Sequence, residues 1–218
     1  MQLSPVQVRV LGCLLEKERA TPDNYPLTMN GLLSACNQTT NRWPVVALSE
    51  ATVANAIENL KAYGLLRVVY SRSNRADKYR HVLDEAWSLA DPELAVLAVL
   101  LLRGGQTAAE LRTRAERLHP FAEVDEVEAV LAALAAREEP LVARLGRAPG
   151  QKEARWGHLV GGEPAPDDGP PPAADHARVT RGDRIEALES ALADVRAEVQ
   201  RLRADHDVLA ARLAEVLD

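Results

Sequence analysis

Long apolar runs, aromatic residues and cysteine are all scarce in this sequence, and each shortage removes a class of protein. No stretch approaches the roughly 18 uninterrupted apolar residues of a membrane span, so no membrane partner is expected. The opening MQLSPVQVRVLGCLLEKE interrupts its apolar positions with Gln7, Arg9, Glu16 and Lys17 rather than forming a secretory leader, and a cytoplasmic location is expected. The 2 cysteines, Cys13 and Cys36, form no CxxC and sit in apolar helical contexts. They read as buried reduced thiols rather than as disulfide, redox or metal positions. The 5 histidines, His81, His119, His158, His176 and His206, make no HxH, HExxH or Cys/His spacing, and neither a glycine-rich phosphate loop nor a GxSxG elbow occurs. A non-enzymatic protein without a cofactor or metal is therefore expected. The acidic cluster Glu123, Asp125, Glu126 and Glu128 reads as the first turn of a helix, where the dipole favours carboxylates.

What is present is charge, unevenly placed. The formal net charge of -6 looks unfavourable for a nucleic-acid binder, yet residues 1–90 carry 10 Lys+Arg against 8 Asp+Glu. Residues 91–160 carry 9 against 11, and residues 161–218 carry 7 against 13, so the C-terminal segment accounts for the negative total. Attraction to phosphate depends on the local field, which directs any search for DNA contacts to the first segment.

Start and stop signals divide the chain. Ser4, Pro5 and Gln7 make a capping box for a first helix, residues 28–37 read as a second, and Ser49 caps a third, EATVANAIENLKAY, closed by Gly64. Two β-prone segments, LLRVVY and KYRHVL, then flank the arginine-bearing SRSNRAD. Helix, helix, helix and hairpin make a winged helix-turn-helix plan, whose third helix and wing are the usual nucleic-acid contacts. The order repeats from Asp91-Pro92. Thr107 with Glu110 and Asp125 with Glu128 read as capping boxes, and LVARLGR, APGQ and KEARWGHLV as strand, turn and strand. Tyr79–Leu83 aligns with Trp156–Val160, and this self-similarity argues for two domains over one α+β domain.

The expected fold is thus mainly α with small β-hairpins, an α+β chain. Its parts are a first winged-helix domain at 1–90, a second at 91–160, a Pro/Gly/Asp-rich linker at 161–182 and a coiled-coil helix at 183–218. In that last segment Ile185, Leu192, Val199, His206 and Leu213 fall at a positions and Leu188, Val195, Leu202, Leu209 and Val216 at d. So narrow a stripe needs a partner helix, and a homodimer is expected through its apolar members. His206 reads as an imperfection near the helix end or as a register-setting polar residue.

The candidate DNA reader is the exposed face of the third helix, where Thr52, Asn55 and Asn59 carry groups that hydrogen-bond base edges and Lys61 suits phosphate. Arg72, Arg75 and Lys78 extend it along the wing. Arg42, in a polar loop with Asn41 and Trp43, suits either phosphate contact or pinning the helices together. The third helix of the second copy is acidic where a reader would be amide-rich or cationic, so that domain is expected to bind protein. The expected function is a dimeric, transcription-regulator-like protein that binds duplex DNA through its first domain. The alternative is a protein-interaction scaffold that binds no nucleic acid.

VLGCLLEKERATPDNYPLTMNGLLSACNQTTNRWPV (10–45), LLLRGGQTAAELRTRAERLHPF (100–121) and HLV (158–160) closely resemble the YceH-like family of bacterial proteins of uncharacterised function. The resemblance spans roughly residues 4–160 and implies a tandem winged-helix architecture with a C-terminal helical tail. Gly105 and Ala108 stand where relatives are expected to have proline, at a turn and a helix start. No catalytic or binding residue is carried over.

Overall fold

In a computed structural model, residues 2–70, 76–145 and 154–162 are described, and the account below concerns these. The linker and the coiled-coil positions expected at 161–182 and 183–218 lie outside them, apart from Gly161 and Gly162.

The helix starts are set by side-chain caps. Helix α1, Pro5–Ala20, begins with the reciprocal bonds expected at Ser4: Gln7 N donates to Ser4 Oγ, and Ser4 N donates to Gln7 Oε1 at 2.7 Å. A single 3-10 turn, Pro22–Asn24, leads to a two-residue strand β1, Leu27–Thr28. Thr28 also caps α2, Met29–Cys36. Ser49 caps α3, Glu50–Ala62, and Gly64, with φ 70, turns the chain into β2, Leu66–Val69. Strand β3, Lys78–His81, pairs antiparallel with β2, and β1 adds on its other side to give the order β1-β3-β2. A four-residue helix α4, Leu83–Ala86, follows.

The second half repeats this order with α5, Asp91–Arg103, α6, Ala108–Ala115, and α7, Val124–Ala135. The antiparallel pair β4, Val142–Arg144, and β5, Trp156–His158, closes it. The correspondence extends to a feature too short to read in the sequence. Leu27, just before the cap of α2, pairs with Tyr79, and Gln106, just before Thr107 and α6, bridges Trp156. Each hairpin is therefore tied to the residue that enters its own second helix.

One expected cap is corrected. Asp125 and Glu128 do not form a box, because α7 starts at Val124 with Glu123 in the cap position and no side-chain cap bond. Starting two residues earlier lets Val124 pack on the core with Val127, Leu131 and Leu134. Glu126 instead accepts from the Ala122 amide at 3.0 Å.

Helices α1 and α5 form the centre. Val10, Leu11, Cys13, Leu14 and Leu15 of α1 are fully buried, and α5 is buried continuously from Leu94 to Leu102. The two helices approach closely at Gly12, where an added Cβ would stand 2.9 Å from Leu102 side-chain atoms. The buried apolar residues of both halves accordingly form one cluster. At its edge Leu3 N donates to Val160 O at 3.0 Å, joining the start of the described chain to the end of the second hairpin.

Candidate functional site

The buried stripe Val53, Ala56, Ile57 and Leu60 fixes how α3 is rotated, and the helical period turns Thr52, Asn55 and Asn59 outward. Asn59 Nδ2 donates to Asn55 Oδ1 at 3.3 Å, so the two amides form an array one turn apart. Thr52 lies at the N-terminal end of that face, its hydroxyl 2.8 Å from Ser49 Oγ. Lys61 is occupied locally: its ammonium sits 2.9 Å from Glu58, whose hydrogen bond and charge hold it above the ordinary lysine value.

Lys78 opens β3, partly buried, in register with Val69 and Thr28. Arg72 and Arg75 lie outside the described residues. Two further arginines of the hairpin, Arg67 and Arg80, share Glu85 at 2.9 and 3.4 Å. Tyr63 and Tyr70, 47% and 76% exposed, stand at the C-cap of α3 and just beyond β2.

Arg42 is set apart from this face. Its side chain is buried, with Nη1 donating to Glu16 Oε1 at 3.0 Å and Nη2 to Glu16 Oε2 at 2.6 Å. Nε donates to the Ala35 carbonyl and Nη1 also to that of Asn41. Of its two readings, this geometry is that of the pin: a planar fork bonded to one carboxylate, two carbonyls and the Gln38 side-chain oxygen joins α1, the end of α2 and the following loop. Burial works against the charge, but the Glu16 hydrogen bond together with the charges around it, Glu16's own included, outweighs it and holds the guanidinium above its ordinary value.

His81 is a second internal lock. Leu83 N donates to His81 Nδ1 at 3.2 Å, which leaves Nε2 to carry the proton toward Glu18 Oε2, 2.8 Å away. His81 N donates to the hydroxyl of Tyr25, whose pKa is raised by burial. Burial alone would raise the Glu18 carboxyl, but the His81 hydrogen bond with the charges of Arg19 and Arg80 holds it below the usual carboxylate value. Cys13 and Cys36 are buried free thiols, and the neighbouring Cys13 together with burial pushes the Cys36 thiol up. Among the described residues, no group of three or more His, Cys, Asp or Glu could hold a metal ion, and no helix is long and apolar enough to cross a membrane.

A family model described as "Protein of unknown function, DUF480" matches residues 3–151. The chain belongs to that family. It is 50% identical over 205 residues to a UPF0502 protein of Geotalea uraniireducens, covering 94% of this chain and 91% of that one. A UPF0502 protein of Geobacter sulfurreducens is 52% identical over 191 residues, covering 86% and 87%. Another from Janthinobacterium sp. is 47% identical over 197 residues, covering 90% and 85%. The YceH-like resemblance agrees with this membership of an uncharacterised bacterial family, whose description supplies no activity to carry over.

In this family member the counterpart of α3 is α7, and the two present different surfaces. Asp125, Glu126, Ala129, Ala132 and Ala133 are exposed on α7, acids and alanines in place of hydroxyls and amides. Arg9, which interrupts the apolar positions of α1, is a further functional residue beyond the candidates named from the sequence. Arg9 is buried, and its signal was available: it falls within VQVRVLGCLL, where helical spacing admits no solvated face. Nη1 donates to the Cys36 carbonyl at 3.4 Å and Nη2 to the Pro44 carbonyl at 2.5 Å. It lines a cavity of about 380 Å³ bounded by the first turns of α1, residues 43–48, the end of α5 and β5.

Proposed function

We propose that the protein is a tandem winged-helix, transcription-regulator-like DNA binder that presents α3 to the major groove and the β2–β3 hairpin as the wing. The carrying observation is the exposed hydroxyl and amide array of Thr52, Asn55 and Asn59 on a helix whose opposite stripe is fully committed to the core. Thirteen residues give α3 a length of about 20 Å, enough to lie across a groove about 12 Å wide. Asparagine side chains pair with adenine edges through one donor and one acceptor, and a hairpin beside the third helix suits the flanking backbone. Arg72, Arg75 and Lys78 are assigned to phosphate, and Arg42 is withdrawn from that role by its bonds to Glu16. The heptad residues from Ile185 to Val216 are assigned to a homodimer, giving paired half-sites. The reading assigns the protein no reaction and places it in the cytoplasm.

The test is binding of the full chain to labelled duplex DNA across a salt series. Affinity that falls with salt, and falls further when Arg72, Arg75 and Lys78 are all replaced by alanine, supports the proposal. Undetectable binding at low salt, or binding indifferent to the triple replacement, refutes it.

A protein partner for the second half is a separate reading favoured by the acidic, alanine-rich face of α7, which a phosphate backbone would repel. If this face rather than α3 carries the function, the chain is a scaffold that binds no nucleic acid. Recovery of one stoichiometric protein partner that is lost on replacing Asp125 and Glu126 with lysine, without DNA in the complex, would favour it.

A further inference from the structure

We propose that the cavity between α1, residues 43–48 and the end of α5 binds a small amphipathic carboxylate, its anionic head on Arg9 and its apolar body between Val46, Leu48 and Leu101. Two independent features converge there. The first is shape and lining: about 380 Å³ falls within the size of small-molecule pockets, and its walls are mainly aliphatic, with Trp43 42% exposed at the rim. The second is an uncompensated charge. Arg9 and Arg42 are both buried arginines of the same core, but Arg42 has Glu16 and Arg9 has only two neutral carbonyls. A guanidinium carries five N–H donors, so donors remain for a ligand.

Charge complementarity follows from the whole lining. Among the described residues that bound the cavity no aspartate or glutamate occurs, while Arg9 does. A buried cation without a counter-ion is costly, and burial holds Arg9 below its ordinary value with the neighbouring Arg42 acting in the same direction. An anion entering the cavity supplies the missing counter-charge. A free phosphate or sulfate would leave the aliphatic wall uncovered, and a neutral hydrocarbon would leave the guanidinium unmet. A carboxylate joined to an apolar body answers both.

Phenylbutyrate and its neutral amide, of nearly equal shape, are the probes, titrated calorimetrically into the full-length protein. The carboxylate should bind about tenfold or more tightly than the amide, the discrimination expected of a charge-assisted hydrogen bond. Arg9→Gln should erase that preference while both probes still bind weakly. Because Arg9 also holds two backbone carbonyls, a second variant avoids dependence on its folding: Val46→Trp, at a partly exposed position, should fill the cavity and abolish binding with the circular dichroism spectrum unchanged. Equal affinity for acid and amide, binding undiminished in Val46→Trp, or no binding of the acid at millimolar concentration would each overturn the proposal. DNA affinity is not among these readouts, so failure here leaves the DNA reading standing and success does not support it.

Discussion

Arg42 and Glu16 meet through two parallel hydrogen bonds, 3.0 and 2.6 Å long, with the arginine side chain fully enclosed and the carboxylate nearly so. Removing Glu16 leaves the Arg42 charge buried without a carboxylate. Glu16→Ala is therefore expected to lower the unfolding free energy by about 3 kcal/mol or more. The double variant with Arg42→Met should lose less than the two single losses combined, and urea denaturation of the four proteins measures that coupling. Additive losses would show that the pair is not the pin described here.

Acid should weaken the fold through Glu18. Its carboxyl is held below the usual carboxylate value, so the stability it contributes is present above an unfolded value of about 4.3 and is lost as pH falls through the lower folded value. The denaturation midpoint of the native protein should drop below about pH 4 more steeply than that of Glu18→Gln. Parallel pH profiles would remove Glu18 from the acid response.

At Gly12 there is no room for a methyl group without displacement of Leu102. Alanine there gains helix propensity but forces α1 and α5 apart, and a net loss of about 1–3 kcal/mol is expected. The sign is the test, since propensity alone would make Gly12→Ala stabilising.

If α3 reads bases, Asn55→Ala and Asn59→Ala should narrow the difference between specific and random duplexes by about 1–3 kcal/mol each. Lys78→Ala should instead weaken all duplexes alike and reduce the salt slope by about 1. Competition binding at fixed salt separates the two effects. Asparagine variants that lose affinity equally for every sequence would contradict base reading.

Much of the architecture was legible because it is encoded locally. Ser4, Thr28, Ser49 and Thr107 each announce a helix start through an oxygen that meets an otherwise unpaired amide, and Gly64 announces a stop. The Asp125 start differs from the observed one because Glu123, Asp125 and Glu126 all stand close enough to open the helix, and only the packing of Val124 chooses among them. Strand β1 and the Gln106 bridge were invisible, being too short to show alternation. The fate of Arg42 depends on which loop folds back over α1, and no periodicity in its neighbourhood carries that information. The exposure of Thr52, Asn55 and Asn59 was readable for the opposite reason, since it follows from the apolar stripe on their own helix.

The hydrogen bond from Leu3 to Val160, together with the seating of α1 against α5, bears on how the chain is made. A nascent first half emerging from the ribosome lacks the helix that covers Gly12, and Leu3 has no strand end to meet until residue 160 has been translated. Synthesis at about 5–20 residues per second leaves that half waiting for several seconds with an incomplete core. Helix α1 thus emerges before the helix and the hairpin that enclose it, and its apolar face stays incompletely covered over that interval.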